Sequence, residues 1–84
     1  MSDESIAGRI EALVSEEHAL RSKERTDSYD EDALAADRDR LNAVEVELDR
    51  CWDLLRQRRA LREAGADPDE ATVRDAETVE RYLQ

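Results

Sequence analysis

Residues 29–65 read YDEDALAADRDRLNAVEVELDRCWDLLRQRRALREAG, and no Gly or Pro stands between Tyr29 and Gly65. Within this stretch Leu34, Leu41, Val44, Leu48, Cys51 and Leu55 recur at steps of three, four or seven residues. That is the a/d-like rhythm of a helix with one apolar face, as in coiled coils. Trp52, Leu54 and Leu61 widen the stripe beyond a two-stranded seam. Ser28 and Glu31 have the spacing of a capping box, in which each side chain satisfies the other's backbone N–H. Gly65 supplies the residue that most easily ends a helix with a left-handed turn. The pattern predicts a long helix over 29–64. On its surface, Asp53 with Arg56 and Arg59 with Glu63 are spaced to pair, each pair contributing ~0.2–0.5 kcal/mol.

Upstream, Ser2 is placed to cap a first helix, with Asp3 and Glu4 at its positive end and Ser5 as a second candidate cap. Ile6, Ile10, Leu13, Val14 and Leu20 follow the same three-to-four rhythm, interrupted by Glu17. Gly8 costs this helix up to ~1 kcal/mol relative to Ala. The first helix is predicted at 3–25. Residues 25–30, Arg-Thr-Asp-Ser-Tyr-Asp, lack an apolar pattern and read as a short loop. Downstream, Asp67-Pro68-Asp69-Glu70 combines an N-cap Asp, Pro at the first helical position and acids in the first turn. Val73, Ala76, Val79 and Leu83 then fit one face of a C-terminal segment over 67–84. The β-branched Thr72 and Val73 fit equally an extended stretch followed by a helix at 76–83.

A short loop between two helices dictates antiparallel packing. The expected fold is all-α and a single domain over 1–84. It is a helical hairpin with a short first and a long second helix, followed by a short C-terminal helical segment. Helices of about 22 and 34 residues span ~33 and ~51 Å, so the second is expected to overhang by roughly a dozen residues. The overhang would hold Trp52, Leu54, Leu55 and Leu61. Leaving such a patch in water is unfavourable, so either the tail folds over it or a second copy covers it. A chain this small also buries little surface by itself. The expectation is a homodimer in a four-helix arrangement, with Leu48, Cys51, Trp52, Leu54, Leu55 and Leu61 as interface residues.

Charge narrows the functions. The 84 residues carry 23 acids and 13 bases, a formal net charge of -10. Counted along the sequence, residues 1–32 are net -6, 33–66 net zero and 67–84 net -4. Phosphate would be repelled from both ends, which opposes bulk nucleic-acid binding and docking on anionic membranes. Large aliphatic residues are few, 16 Leu, Ile and Val in all, with no Phe. No apolar run approaches the ~20 residues of a membrane span. The acidic Met1-Ser2-Asp3-Glu4 start is unlike a signal peptide. A single Cys fits a reducing cytoplasm, the expected location.

Candidate chemistry is sparse. His18 and Cys51 are the only soft ligands, whereas a structural zinc site takes about four. In the antiparallel register His18 falls near residue 39, far from Cys51, and no Glu-x-x-His pair suggests a di-iron bundle. No His stands beside Cys51 to activate it as a nucleophile. No metal, cofactor or catalytic residue is therefore expected. Arg56, Arg58, Arg59 and Arg62 form a basic cluster that reads either as internal charge neutralisation, with Asp69 and Glu70 as partners, or as an anion or partner contact. Trp52 beside them reads as core, as dimer interface or as a contact for another protein, because Trp and Arg are enriched at such centres.

Together, residues 9–14 (RIEALV) with Glu16-Glu17-His18, residues 48–60 (LDRCWDLLRQRRA), residues 65–69 (GADPD) and the Tyr82-Leu83-Gln84 end resemble the DUF2630 family of small actinobacterial proteins. The resemblance covers nearly the whole chain and is most specific over residues 51–59. Asp75 stands near where Pro is frequent in that family. The resemblance implies a short cytoplasmic actinobacterial protein and no activity, because the function of the family is unknown. A looser likeness links Arg40, Val44, Glu45, Leu48, Asp49, Leu54, Leu55 and Arg59 to the first helix of all-helical chorismate mutases. That likeness starts in mid-chain, and Lys23 is the only Lys available as a further cationic clamp. The leading expectation is a non-enzymatic, self-associating protein–protein interaction module. The alternatives are a structural or stress-related helical protein without a dedicated partner and a small anion-binding enzyme.

Overall fold

The computed structural model describes residues 2–83, with side chains through Arg81. Helix α1 spans Asp3–Thr26, α2 spans Glu31–Glu63, a 3-10 turn covers Pro68–Glu70 and α3 spans Ala76–Leu83. The all-α hairpin with a C-terminal helical segment is thus the observed architecture. The face proposed for Leu83 lies outside the described side chains.

Each boundary has a local cause. Ser2 accepts from the Ser5 N–H and Ser5 accepts from the Ser2 N–H, at 3.1 and 3.0 Å, so both candidate caps act as one reciprocal box. Helix α2 starts two residues later than expected, because Asp30 caps it by accepting from the Ala33 N–H at 3.1 Å. Ser28 is instead part of the turn closed by Asp30 N–H donating to Asp27 C=O at 2.8 Å. A carboxylate oxygen two residues nearer the apolar face wins over the hydroxyl. At the far end Gly65 adopts φ +76°. Its N–H donates to Arg62 C=O, and Ala66 N–H donates to Leu61 C=O at 2.8 Å. This is the paired six-to-one and five-to-two closure of a Schellman motif.

Helices α1 and α2 bury Ile6, Ile10, Leu13, Val44, Leu48 and Leu54 between them, with Val14, Leu20, Cys51, Leu55 and Ala71 at the margin. Across the middle of the hairpin the register is the expected one: Arg9 pairs with Glu47 and Glu16 with Arg40, in line with His18 falling near residue 39. Asp27, which caps α1, bears on Asp37 rather than on the start of α2. At the other end Asp3 reaches Arg58 and Arg62. With Asp3 anchored on Arg58 and Arg62, the expected dozen-residue overhang shrinks to the last turn or so of α2. Leu54 is therefore core.

The tail resolves as an extended stretch ahead of a helix. Pro68–Glu70 makes only one 3-10 turn, capped by Asp67 accepting from Asp69 N–H. Residues 71–75 then run back along α2 without strand partners. Backbone groups of Thr72 and Arg74 bond to side chains of α2. Gln57 pairs with Thr72 like a peptide group: Nε2 donates to Thr72 C=O at 2.7 Å, and Oε1 accepts from Thr72 N–H at 3.4 Å. Arg50 Nε donates to Arg74 C=O at 2.8 Å. Asp75 then caps α3 by accepting from Thr78 N–H at 2.8 Å, and Val79 is fully buried. Among the described residues α3 packs on α2 and not on α1, so the long helix is the shared spine.

Candidate functional site

Three sides of α2 are occupied differently, and this decides what is left for function. Positions near Val44, Leu48 and Arg58 face α1. Positions near Asp53 and Gln57 face the tail. A third side, carrying Trp52, Arg56 and Arg59, faces neither. The sequence leaves open whether the tail covers Trp52; here it runs along the opposite flank.

On the free side, Asp3, Trp52, Leu55, Arg56, Arg59 and Arg62 line a shallow depression at the seam between α1 and α2. Trp52 is 52% exposed although it is the only Trp in the chain. Leu55, in the same lining, is half-buried against the core. The lining carries three cations and one carboxylate, against the chain's net charge of -10.

The Arg cluster divides. Arg58 is buried: its Nε donates to Asp3 Oδ1 at 2.6 Å, and its Nη1 donates to Asp69 Oδ1 at 2.9 Å and to Pro68 C=O at 3.3 Å. It ties the start of α1 and the 3-10 turn to α2 and is closed to an external ligand. Arg62 shares Asp3 at 2.7 Å, and Arg59 pairs with Glu63 at 3.4 Å, as the i,i+4 spacing predicts. Hydrogen bonds from Arg62 and Arg58 bring the Asp3 carboxyl down to about 2. Arg56 makes no ion pair among the described residues. It does not pair with Asp53, contrary to the expected surface pair. Asp53 is turned inward, where Arg74 grips both its oxygens (Nε to Oδ2 at 2.9 Å, Nη2 to Oδ1) and Gln57 Nε2 donates to Oδ2 at 2.9 Å. The Arg74 guanidinium, with Gln57 adding a donor, holds the Asp53 carboxyl below the usual range against the burial that pushes it up.

Of the expected interface residues, Leu48 and Leu54 are withdrawn into the hairpin core, so they are not available at a surface. Cys51, Leu55 and Leu61 are half-buried, and Trp52 alone is open. Burial raises the Cys51 thiol, so it is less ionised than a free cysteine. Cys51 also lines a second, apolar groove of ≈ 710 Å³ with Ile6, Val46, Leu54 and the exposed Val73 of the tail. His18 is exposed on α1, and among the described residues no three His, Cys, Asp or Glu side chains cluster to hold a metal ion. The cations compared above with an anion clamp do not converge. Arg40 pairs with Glu16 at 2.6 Å, Lys23 with Asp37 at 3.0 Å, and Arg59 lies ~28 Å along α2 from Arg40. Sequence reading missed the buried pairing of Asp53 and Arg74, because the partners are 21 residues apart with a break between them.

No helix among the described residues is long and apolar enough to cross a membrane. Residues 2–84 match the family described as a protein of unknown function, DUF2630. The chain is 48% identical over 81 residues to an uncharacterized protein of Mycobacterium bovis, covering 96% of this chain and 90% of that one. The same identity and coverage relate it to uncharacterized proteins of two Mycobacterium tuberculosis strains. No solved structure matches. The chain belongs to the DUF2630 family, and its function is unknown.

Proposed function

We propose that this DUF2630 chain is a non-enzymatic, cytoplasmic interaction module that self-associates through the Trp52 side of α2. The observation that carries the reading is the half-exposed Trp52, which lines the depression at the hairpin seam together with Leu55 and Arg56. An amphipathic helix face that meets neither α1 nor the tail is the kind of surface helical bundles bury on association. Aromatic and Arg side chains centred on one patch are the residues that most often dominate binding energy. A second copy suits the patch by charge. The lining is net positive, while the first 32 residues of the chain are net -6, so like chains present complementary surfaces.

The sole Trp makes the test direct. Full-length protein at tens of micromolar, followed by light scattering after size exclusion, should run at twice its 9.6 kDa. Its Trp emission should shift red on dilution as Trp52 returns to water. Trp52→Ala should weaken association at least tenfold with far-UV circular dichroism unchanged, because the side chain is not part of the hairpin core. A wild type that stays monomeric at 100 µM, with emission independent of concentration, overturns self-association.

A further inference from the structure

At the opposite end of the molecule from Trp52, the tip of the hairpin holds two carboxyl groups against one another. Asp37 on α2 is 3% exposed, and its Oδ1 accepts from Lys23 Nζ at 3.0 Å. Asp27, the residue that caps α1, stands with its Oδ2 3.8 Å from the same Nζ. The second oxygen of Asp37 and the Oδ2 of Asp27 are both buried, and neither finds a hydrogen-bond donor. Buried acceptors without donors cost free energy that a single donor would recover. The groups bearing on the pair are Lys23 from α1, Asp30 from the turn and each carboxyl on the other. Arg40, one turn further along α2, is committed to Glu16. One ammonium thus faces the buried Asp37 and the half-buried Asp27, with Asp30 adding a third negative charge nearby. No side chain supplies the missing donor. A proton does.

We propose that Asp27 and Asp37 form a proton-operated clasp: one proton held between their buried oxygens fastens the end of α1 to α2, and its loss loosens the turn. Two carboxyls that share a site cannot both ionise at their ordinary values; one keeps its proton to higher pH and the other gives its up more readily. The structure divides the roles in that sense. Asp27 is raised, first by Asp37 and then by burial, while Asp37 is lowered by Asp27 and Lys23. The sign of the linkage follows. A carboxyl whose folded value lies above its unfolded value stabilises the fold as pH falls through the folded value, and the gain is complete below about 3.9, the unfolded value. Each unit of elevation is a tenfold change in the folded-to-unfolded ratio. The clasp works opposite to Asp3, Asp53 and Asp69, whose lowered values make acid destabilising. It gives the tip of the hairpin a response to acid of the opposite sign to theirs, and it is independent of the self-association reading.

The experiment is a carbon-detected carboxyl titration of full-length protein by NMR, beside thermal unfolding of wild type and Asp27→Asn from pH 8 to pH 4. The Asn amide donates to Asp37 at every pH and so imitates the closed clasp. Asp27 should titrate above the ordinary carboxylate range and in step with a shift at Asp37. Asp27→Asn should melt higher than wild type at pH 8, with the difference closing by pH 4. Amide exchange at residues 27–33, corrected for the intrinsic rate, should rise with pH in wild type and not in the variant. Independent titration of both carboxyls near 4, with a difference in melting temperature that does not change with pH, would overturn the clasp. If Asp27→Asn fails to fold, the wild-type titration decides by the same criterion.

Discussion

Asp53→Ala tests the junction that fastens the tail to the hairpin. Asp53 is 1% exposed and accepts three hydrogen bonds, two from Arg74 and one from Gln57. Truncating one partner of a buried ion pair costs about 3–5 kcal/mol. Here the Arg74 side chain retains access to water, at 29% exposure, so its guanidinium is partly resolvated and the low end, about 3 kcal/mol, applies. For a domain of this size each kcal/mol moves the melting temperature by roughly 4–8 °C, which gives a fall of roughly 12–24 °C. A smaller fall has one physical route: the tail detaches first and caps the loss at its own docking free energy, so amide exchange at Thr78 and Val79 must then rise to the solvent limit. A double-mutant cycle with Arg74→Ala isolates the pair from the other contacts of Arg74, and a coupling of about 2–3 kcal/mol is expected. The pH dependence has a fixed sign. The folded Asp53 carboxyl lies below its unfolded value, so its contribution is present in full above about pH 4 and disappears as pH falls through the folded value; Asp53→Ala should flatten the acid limb of the stability profile. A melting temperature within about 2 °C of wild type, no rise in exchange at the tail and a coupling below about 0.5 kcal/mol would refute the reasoning.

Two further changes check the helix ends. Asp30→Ala should cost ~1 kcal/mol, roughly 4–8 °C, whereas Ser28→Ala should leave thermal unfolding unchanged, because only Asp30 accepts from the first turn of α2. Gly65→Ala should cost ~1–2 kcal/mol by differential scanning calorimetry, purely from its φ of +76°, since no atom lies within 4 Å of the added Cβ.

Much of the hairpin was legible because its punctuation is local. Ser2, Gly65 and Asp67-Pro68 act within a few residues of where they stand, and the three-to-four spacing of Ile6, Ile10, Leu13, Val44 and Leu48 names the buried face. Competition between neighbouring caps was not legible: Ser28 and Asp30 both satisfy local rules, and the packing of the turn chooses. The extent of the candidate site was read too widely for a related reason. Leu48, Leu54 and Trp52 share one apolar stretch, and only the register of α1 decides that Leu48 and Leu54 go inside while Trp52 stays out. The four arginines posed the same difficulty. Arg58 sits one residue from Arg59, yet it is buried between Asp3 and Asp69 while Arg59 stays in solvent.

The register itself has a source that apolar periodicity cannot supply. A stripe with steps of three and four repeats after seven residues, so sliding α1 along α2 by one heptad still places aliphatic side chains against one another. The buried charged residues remove that freedom, and the three among the described residues, Asp37, Asp53 and Arg58, all lie on α2. Asp37 meets Lys23 near the end of α1, Arg58 meets Asp3 at its start together with Asp69, and Asp53 meets Arg74 in the tail. A slip of one heptad carries Asp37 and Arg58 about 10 Å from their partners and strands buried charge at both ends of the hairpin. Apolar isosteres at these sites would pack without that penalty and without a preferred alignment. In a chain with so few large aliphatic side chains, burial drives the helices together and the charges on α2 decide where they stop. That alignment is also what leaves Trp52 outside, so the candidate surface is a consequence of where Asp3 and Lys23 find their partners.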